Sequence, residues 1–339
     1  MMIEYDNGIR IEPLNVNLDA TRKCDYSFVS HAHSDHARKH RKILATPETA
    51  LLYRYRFPSV PARVIPYGRK ARIGSATVEL FPSGHMLGAA QILVITKGTR
   101  IVYTGDFKTY PNLTCVPVEI RRCDILIMES TYGDPICSFP PQNEVYARII
   151  MFIERCFADG NTPVLVGYAT GKAQEVVFLI QQHGFPVHVD SKVAEINELY
   201  RSAGVKLKPT RHFTERSSAQ RVLVVTPQTL RTEPYKALPY KRSVFLSGWS
   251  QGGNAKRFCV ADWSLPLSDH ADFNGLLSYV DKCRPKKIYT LHGTPQFATI
   301  LREMGHDAEH INKGFKADHK RVRKSPLRKI DLGENFELF

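Results

Sequence analysis

Six consecutive residues, His31-Ala-His33-Ser-Asp35-His36, constrain this chain more than any other feature. They follow a strand-like run from Tyr26 to Ser30. A lone histidine is usually structural or simply exposed. Burying three histidines and an aspartate together without a cation or hydrogen-bonding partners costs on the order of several kcal/mol. Imidazole nitrogens with a carboxylate oxygen suit Zn²⁺, and Mn²⁺ or Fe²⁺ also accept such donors. The segment therefore predicts a metal site built at the end of a strand.

Further donors stand at the ends of later apolar runs: His85 in Ser-Gly-His-Met, Asp106 in Thr-Gly-Asp-Phe and His292 in Leu-His-Gly. Each has a glycine beside it, which lets the backbone turn sharply. Taken singly, each could equally be a cap or a satisfied core group. With the first motif they supply ligands for two metals and leave positions open for water, the mark of a catalytic rather than a structural site.

The rest of the sequence gives these donors a framework. Thr77–Phe81, Gln91–Thr96, Arg100–Tyr103 and Ile125–Glu129 read as short strands. From about Gly133 the pattern alternates. Val145, Ile149, Phe152, Ile153 and Cys156 recur at helical spacing, followed by strands near 163–167, 185–189, 221–225 and 243–246. Helices are expected over 173–182 and 192–202 between them. That alternation predicts an α/β unit with parallel strands. A helix over 273–282, a strand over 287–291 and a helix over 295–304 follow.

Charge and cysteine content narrow the function. The 339 residues carry a net charge of +14, which favours a polyanionic partner. Eight Lys or Arg against the single acid Asp318 fall between Lys313 and Lys329, so a basic tail is expected there, either solvated or on a phosphate backbone. The run Arg38-Lys39-His40-Arg41-Lys42 directly follows the metal motif and is expected to meet approaching phosphates. Seven cysteines without a CxxC pair argue against a disulfide framework and for a reducing cytoplasm. No apolar stretch is long enough for a membrane span, and the first ten residues lack the pattern of a secretory signal. Gly167-Tyr-Ala-Thr-Gly171-Lys172-Ala173 is one residue short of a P-loop and lacks its hydroxyl, which excludes nucleotide hydrolysis. A strand, glycine turn and helix start can still offer N–H groups to a phosphate, and Lys172 is placed on that path.

Asp19, the HxHxDH segment, His85 and Asp106 together resemble the successive motifs of the metallo-β-lactamase fold. Glu129 in Glu-Ser-Thr-Tyr-Gly, His270 in Ser-Asp-His-Ala-Asp and His292 resemble the extra motifs of its β-CASP nuclease branch. Lys108-Thr-Tyr-Pro-Asn-Leu-Thr-Cys115, Gly171-Lys-Ala-Gln174, Leu199-Tyr-Arg-Ser-Ala-Gly-Val205 and Leu267-Ser-Asp-His-Ala-Asp272 look like the compact exonucleases associated with DNA ligase and helicase genes.

The resemblance implies an α/β fold, an αββα sandwich with an inserted β-CASP domain. Residues 1–132 and 261–312 would form the first domain, 133–260 the insert and 313–339 a basic tail. It implies two Zn²⁺, one held by His31, His33 and His85 and the other by Asp35, His36 and His292. Asp106 would bridge them and Asp19 would orient ligands. Asp35, Glu129 and His270 would act in catalysis, with His270 as general acid held by Glu129. Arg38, Lys39, Lys172 and Ser268 would contact nucleic acid.

The activity implied is trimming of single-stranded DNA in end processing, with a DNA ligase or helicase as associate. An RNA-processing nuclease is the alternative, since histidine at the position of His292 accompanies RNA substrates too. A small-molecule hydrolase would need neither the insert nor the charge. A non-catalytic scaffold would show substitutions among the ligands, and none is present.

Overall fold

The computed structural model describes residues 1–214, 220–253 and 260–319. Two seven-stranded sheets stack face to face. The first has the order 315–318, 2–6, 8–11, 17–18, 26–28, 42–45 and 62–64. The second runs 308–310, 287–291, 125–129, 99–103, 90–96, 76–82 and 70–73. Between them lies an aliphatic core that includes Ile3, Ile9, Phe28, Val78, Ile92, Ile101 and Ile127. Because strand side chains alternate, Leu126 and Met128 point the other way from Ile125 and Ile127. They meet Leu276, Tyr279, Phe297 and Leu301 of helices Phe273–Cys283 and Gln296–Glu303. Helix Pro47–Arg56 covers the outer face of the first sheet through Ala50 and Tyr53, against Val29 and Ile43. The expected αββα sandwich is therefore present.

The insert has its own six-stranded sheet, in the order 211–212, 187–189, 222–225, 162–166, 241–246 and 263–265. Every pairing in it is parallel, as the alternating pattern predicts. Helices Gln142–Ala158, Lys172–Gln182 and Ser191–Ser202 pack on one face through a shared core. Two buried ion pairs tie it to the sandwich: Lys108 Nζ to Glu175 Oε1 at 2.8 Å, and Lys172 Nζ to Asp269 Oδ2 at 3.0 Å.

Two expected boundaries move. Trp263–Leu265 pairs with Lys241–Leu246, so the insert's sheet continues past residue 260. Phe315–Asp318 pairs antiparallel with Met2–Asp6 and is an edge strand, not the start of a tail. Its lysine and aspartate lie on the side away from the core, while Phe315 packs at a tilt against Tyr289 with ring centroids 5.1 Å apart. A charge count hides that short alternation. The expected tail beyond residue 319 falls outside the described residues. Helix Pro47–Arg56 has no counterpart in the sequence-based expectation, although Thr46 caps it and Pro47 and Glu48 open it.

Topology brings the donors together. Strands 99–103, 125–129 and 287–291 run parallel, so Asp106, Glu129 and His292 emerge at one edge of the second sheet. Strand 76–82 is antiparallel to 90–96, which is itself antiparallel to 99–103, so His85 leaves at that edge as well.

Candidate metal centre

Asp19 organises the first ligands. Its carboxylate is buried and accepts four hydrogen bonds, from the Ser30 N–H (2.7 Å), Ser30 Oγ (2.6 Å), His36 Nδ1 (2.8 Å) and the Tyr103 hydroxyl (2.8 Å). Its backbone holds a left-handed φ of 46°, an uncommon conformation for a non-glycine residue. His36 gives its Nδ1 proton to Asp19, which turns Nε2 towards Asp106 Oδ2, 3.3 Å away. Ser30 Oγ donates its proton to Asp19 and so accepts from His31 Nδ1 at 3.0 Å. His31 Nε2 is thereby a bare lone pair, buried and without a hydrogen-bond partner among the described residues.

The other two histidines show the same arrangement. His85 Nδ1 donates to the Asp269 carbonyl at 2.7 Å, and His33 Nε2 donates to the Thr170 carbonyl at 3.0 Å. A carbonyl only accepts, so both protons are fixed on those nitrogens. The remaining nitrogens, His85 Nε2 and His33 Nδ1, face each other at 3.1 Å as two lone pairs. Such a contact is repulsive unless a metal ion or a shared proton lies between them. One donor atom from each of His31, His33 and His85 lies within 4.8 Å of the others, as do those of His31, His36 and Asp106. The cluster thus fits a divalent metal, with outer hydrogen bonds setting each tautomer.

Electrostatics agree. Burial, reinforced by the neighbouring rings, holds His31 and His85 well below the usual imidazole range, so both rings are neutral and each has a lone pair to offer a cation. Burial lowers His36 too, but Asp106 and Asp19 outweigh it and raise that ring well above the range. A cation at Nε2 would take that proton's place.

The two remaining proposed ligands sit on the open side. His292, at a left-handed φ of 57°, lies beside His36 with ring centroids 5.3 Å apart. Asp35 is solvent-exposed, with Oδ2 3.7 Å from His36 Nε2. Both line the cleft that opens onto the cluster.

Glu129 and His270 form a pair at the margin of the cluster, where His85, Asp106 and His270 also bring one donor atom each within 4.8 Å of one another. Glu129 is buried, accepts from the Phe107 N–H, and takes His270 Nδ1 at 2.9 and 3.0 Å on its two oxygens. His270 Nε2 points the other way, 4.0 Å from Asp106 Oδ2. Burial pushes His270 down, but Glu129 and then Asp106 outweigh it and raise its pKa to about 9.

The cleft has a volume of about 690 Å³ and runs between sandwich and insert. Its walls include residues that sequence reasoning missed. Arg56 ends the overlooked helix, and Lys192 stands in the first turn of the helix from Ser191. Tyr132 and Trp249 pack against each other across the two domains, with ring planes tilted by 54° and centroids 4.8 Å apart. The Thr46-Pro47-Glu48 helix-start signal could have located Arg56.

The expected nucleic-acid contacts change. Lys172 is buried, pairs with Asp269 and donates to the Leu267 carbonyl at 2.8 Å. It fixes the loop that carries His270 and is not a free cation for phosphate. Arg38 and Lys39 are exposed beyond the cleft wall rather than lining it, because His40 turns inward to Cys24 and breaks the basic run. Ser268 does line the cleft, but its hydroxyl accepts from the His270 N–H and donates to the His270 carbonyl, which closes the loop on itself.

Residues 263–314 match the Zn-dependent metallo-hydrolase RNA specificity domain. The chain is 33% identical over 316 residues to a probable DNA ligase of Opitutus terrae, covering 92% of this chain but only 31% of that protein. It is 24% identical over 342 residues to an RNase J-like protein of Methanocaldococcus jannaschii, covering 79% of this chain and 81% of that one. A solved structure, a protein of unknown function from Enterococcus faecalis V583, shares the fold with a TM-score of 0.57 at 14% identity, over 86% of this chain and 80% of that one. Among the described residues, no helix is long and apolar enough to cross a membrane. The donor cluster at the sheet edge, the inserted parallel domain and the C-terminal match are together consistent with the β-CASP nuclease family of the metallo-β-lactamase fold.

Proposed function

We propose that the protein is a zinc-dependent phosphodiesterase that shortens single-stranded DNA from an end. The observation carrying this reading is the Glu129–His270 pair, set with its free Nε2 4.0 Å from Asp106 and facing the open cleft. His31, His33 and His85 would hold one Zn²⁺, and Asp35, His36 and His292 the other, with Asp106 between them. Cations held there would supply Lewis acidity for the activation of water near neutral pH. His270 keeps its proton under the influence of Glu129 and delivers it from Nε2 to the leaving alkoxide. Trp249, partly exposed in the cleft wall, offers a ring to unstacked bases, and Arg56 and Lys192 meet the phosphates. That wall suits a flexible single strand.

His270→Ala tests the assignment: both metals stay bound and turnover falls by about 10²–10⁴-fold, the usual worth of a general acid. Wild-type turnover in a fully metallated variant would remove His270 from the reaction. A ribonuclease is the second reading. It is favoured by the match over 263–314 and by the RNase J-like relative. DNA is favoured by the ligase relative, which aligns over most of this chain; a ligase or helicase would then act on the same ends. Matched DNA and RNA oligonucleotides labelled at either end separate the two and give the polarity.

A further inference from the structure

A second groove lies on the outer edge of the insert, away from the metal cluster. It has a volume of about 550 Å³ and follows the edge strand Trp263–Leu265 and the helix Gln142–Ala158. Three arginines line it: Arg148, Arg155 and Arg242. Arg148 is 3.7 Å from Glu144 and Arg242 is 2.6 Å from Asp159, while Arg155 has no ion pair among the described residues. The floor is aromatic. Trp263 is 51% exposed, and its ring is met edge-on by Phe152 at 6.0 Å and has the Arg242 guanidinium 5.8 Å from its centre. A large indole left half bare among three guanidinium groups is an unfavourable way to end a sheet. It is an ordinary way to hold a nucleotide, with the base on the ring and phosphates on the arginines.

The groove connects to the cleft through its strand. The Leu265 carbonyl accepts from the Ser247 N–H at 3.0 Å, and Ser247 lines the cleft. From Trp263 to His270 is seven residues, so the two sites are at most about 25 Å apart along the chain. A single strand leaving the cleft can span that distance with a few nucleotides. The chain's own C-terminal run is basic and has the wrong sign to occupy the groove.

We propose that this edge groove binds the part of a single-stranded nucleic acid that lies outside the cleft, with a base stacked on Trp263 and phosphates on Arg148, Arg155 and Arg242. It rests on the nucleolytic reading above and extends it to a remote binding subsite that would favour long strands over short ones.

The test uses the metallated protein with phosphorothioate strands of roughly five and roughly 25 nucleotides, read by fluorescence anisotropy. Trp263→Ala should weaken the long strand about fivefold or more and leave the short strand unchanged. Arg148→Gln with Arg155→Gln should lower the log–log salt slope for the long strand by about 1.4, at about 0.7 per phosphate contact. Near-ultraviolet circular dichroism checks that both variants are folded. Normal long-strand affinity and slope in both variants, with oligonucleotide cleavage intact, would overturn the groove and leave the nuclease standing. So would loss of binding to an acidic peptide alone, since the edge strand would then be a protein-docking site. Failure of the unsubstituted protein to bind or cleave either length would overturn both readings.

Discussion

Replacing Lys172 by methionine distinguishes a buried clamp from a phosphate contact. The Lys172 Nζ lies 3.0 Å from Asp269 Oδ2 and 2.8 Å from the Leu267 carbonyl. The other carboxylate oxygen, Oδ1, is buried with no hydrogen-bond partner among the described residues. Burial opposes the charge on Asp269, and Lys172 followed by Lys108 holds its pKa down to about 2. Methionine fills similar volume but strips the buried carboxylate of its ion-pair partner, at a cost of about 3–5 kcal/mol. That is a large share of the roughly 5–15 kcal/mol that stabilises a typical domain. The damage should reach the metals, because the Asp269 carbonyl fixes the His85 tautomer. Losing such an outer support typically lowers metal affinity about 10–100-fold. Denaturant unfolding and metal content per chain measure the two effects. Adding Asp269→Asn to Lys172→Met removes the stranded charge and should recover much of the stability. The reasoning is refuted if Lys172→Met unfolds within about 0.5 kcal/mol of the native protein and keeps its metal. If strand binding alone were lost, Lys172 would be the phosphate contact that its glycine-rich loop suggests.

Three other outcomes follow from the same geometry. Asp19→Asn keeps one acceptor oxygen for four donors, so zinc affinity measured against a competing chelator should fall about 10–100-fold; unchanged affinity would mean that Asp19 does not set the ligand tautomers. A Cβ on Gly293 would come within 2.1 Å of the Ser130 carbonyl oxygen, so Gly293→Ala should destabilise by about 1–3 kcal/mol and displace His292, a shift visible in histidine NMR resonances. Chelation should abolish hydrolysis and lower the melting temperature, with both restored by Zn²⁺, because opposed lone pairs at 3.1 Å repel once the cation is gone. A melting temperature indifferent to chelator would contradict the tautomers assigned to His33 and His85.

Much of the site could be read from the sequence because metal chemistry restricts residue type. Three histidines and an aspartate within six positions are costly to bury without a cation, and further donors stand directly after apolar runs. The strands ending at Asp106, Glu129 and His292 were equally legible, since a run buried on both faces must be apolar throughout, as in Ile125–Met128. The parallel insert followed from its alternating helices and strands.

Burial and pairing could not be read, because they depend on partners distant in the chain. Lys172 looks like any lysine after a glycine turn until Asp269, 97 positions later, closes on it. Phe315–Asp318 reads as the start of a basic tail until Met2–Asp6 offers an open sheet edge. Arg56, Lys192, Tyr132 and Trp249 carry no local signal of a shared role, and only the approach of the two domains makes them one wall. Local composition determined which atoms could bind a metal. The tertiary structure decided which charges face the cleft and which are consumed in holding it together, because a side chain's solvation is set by what packs against it.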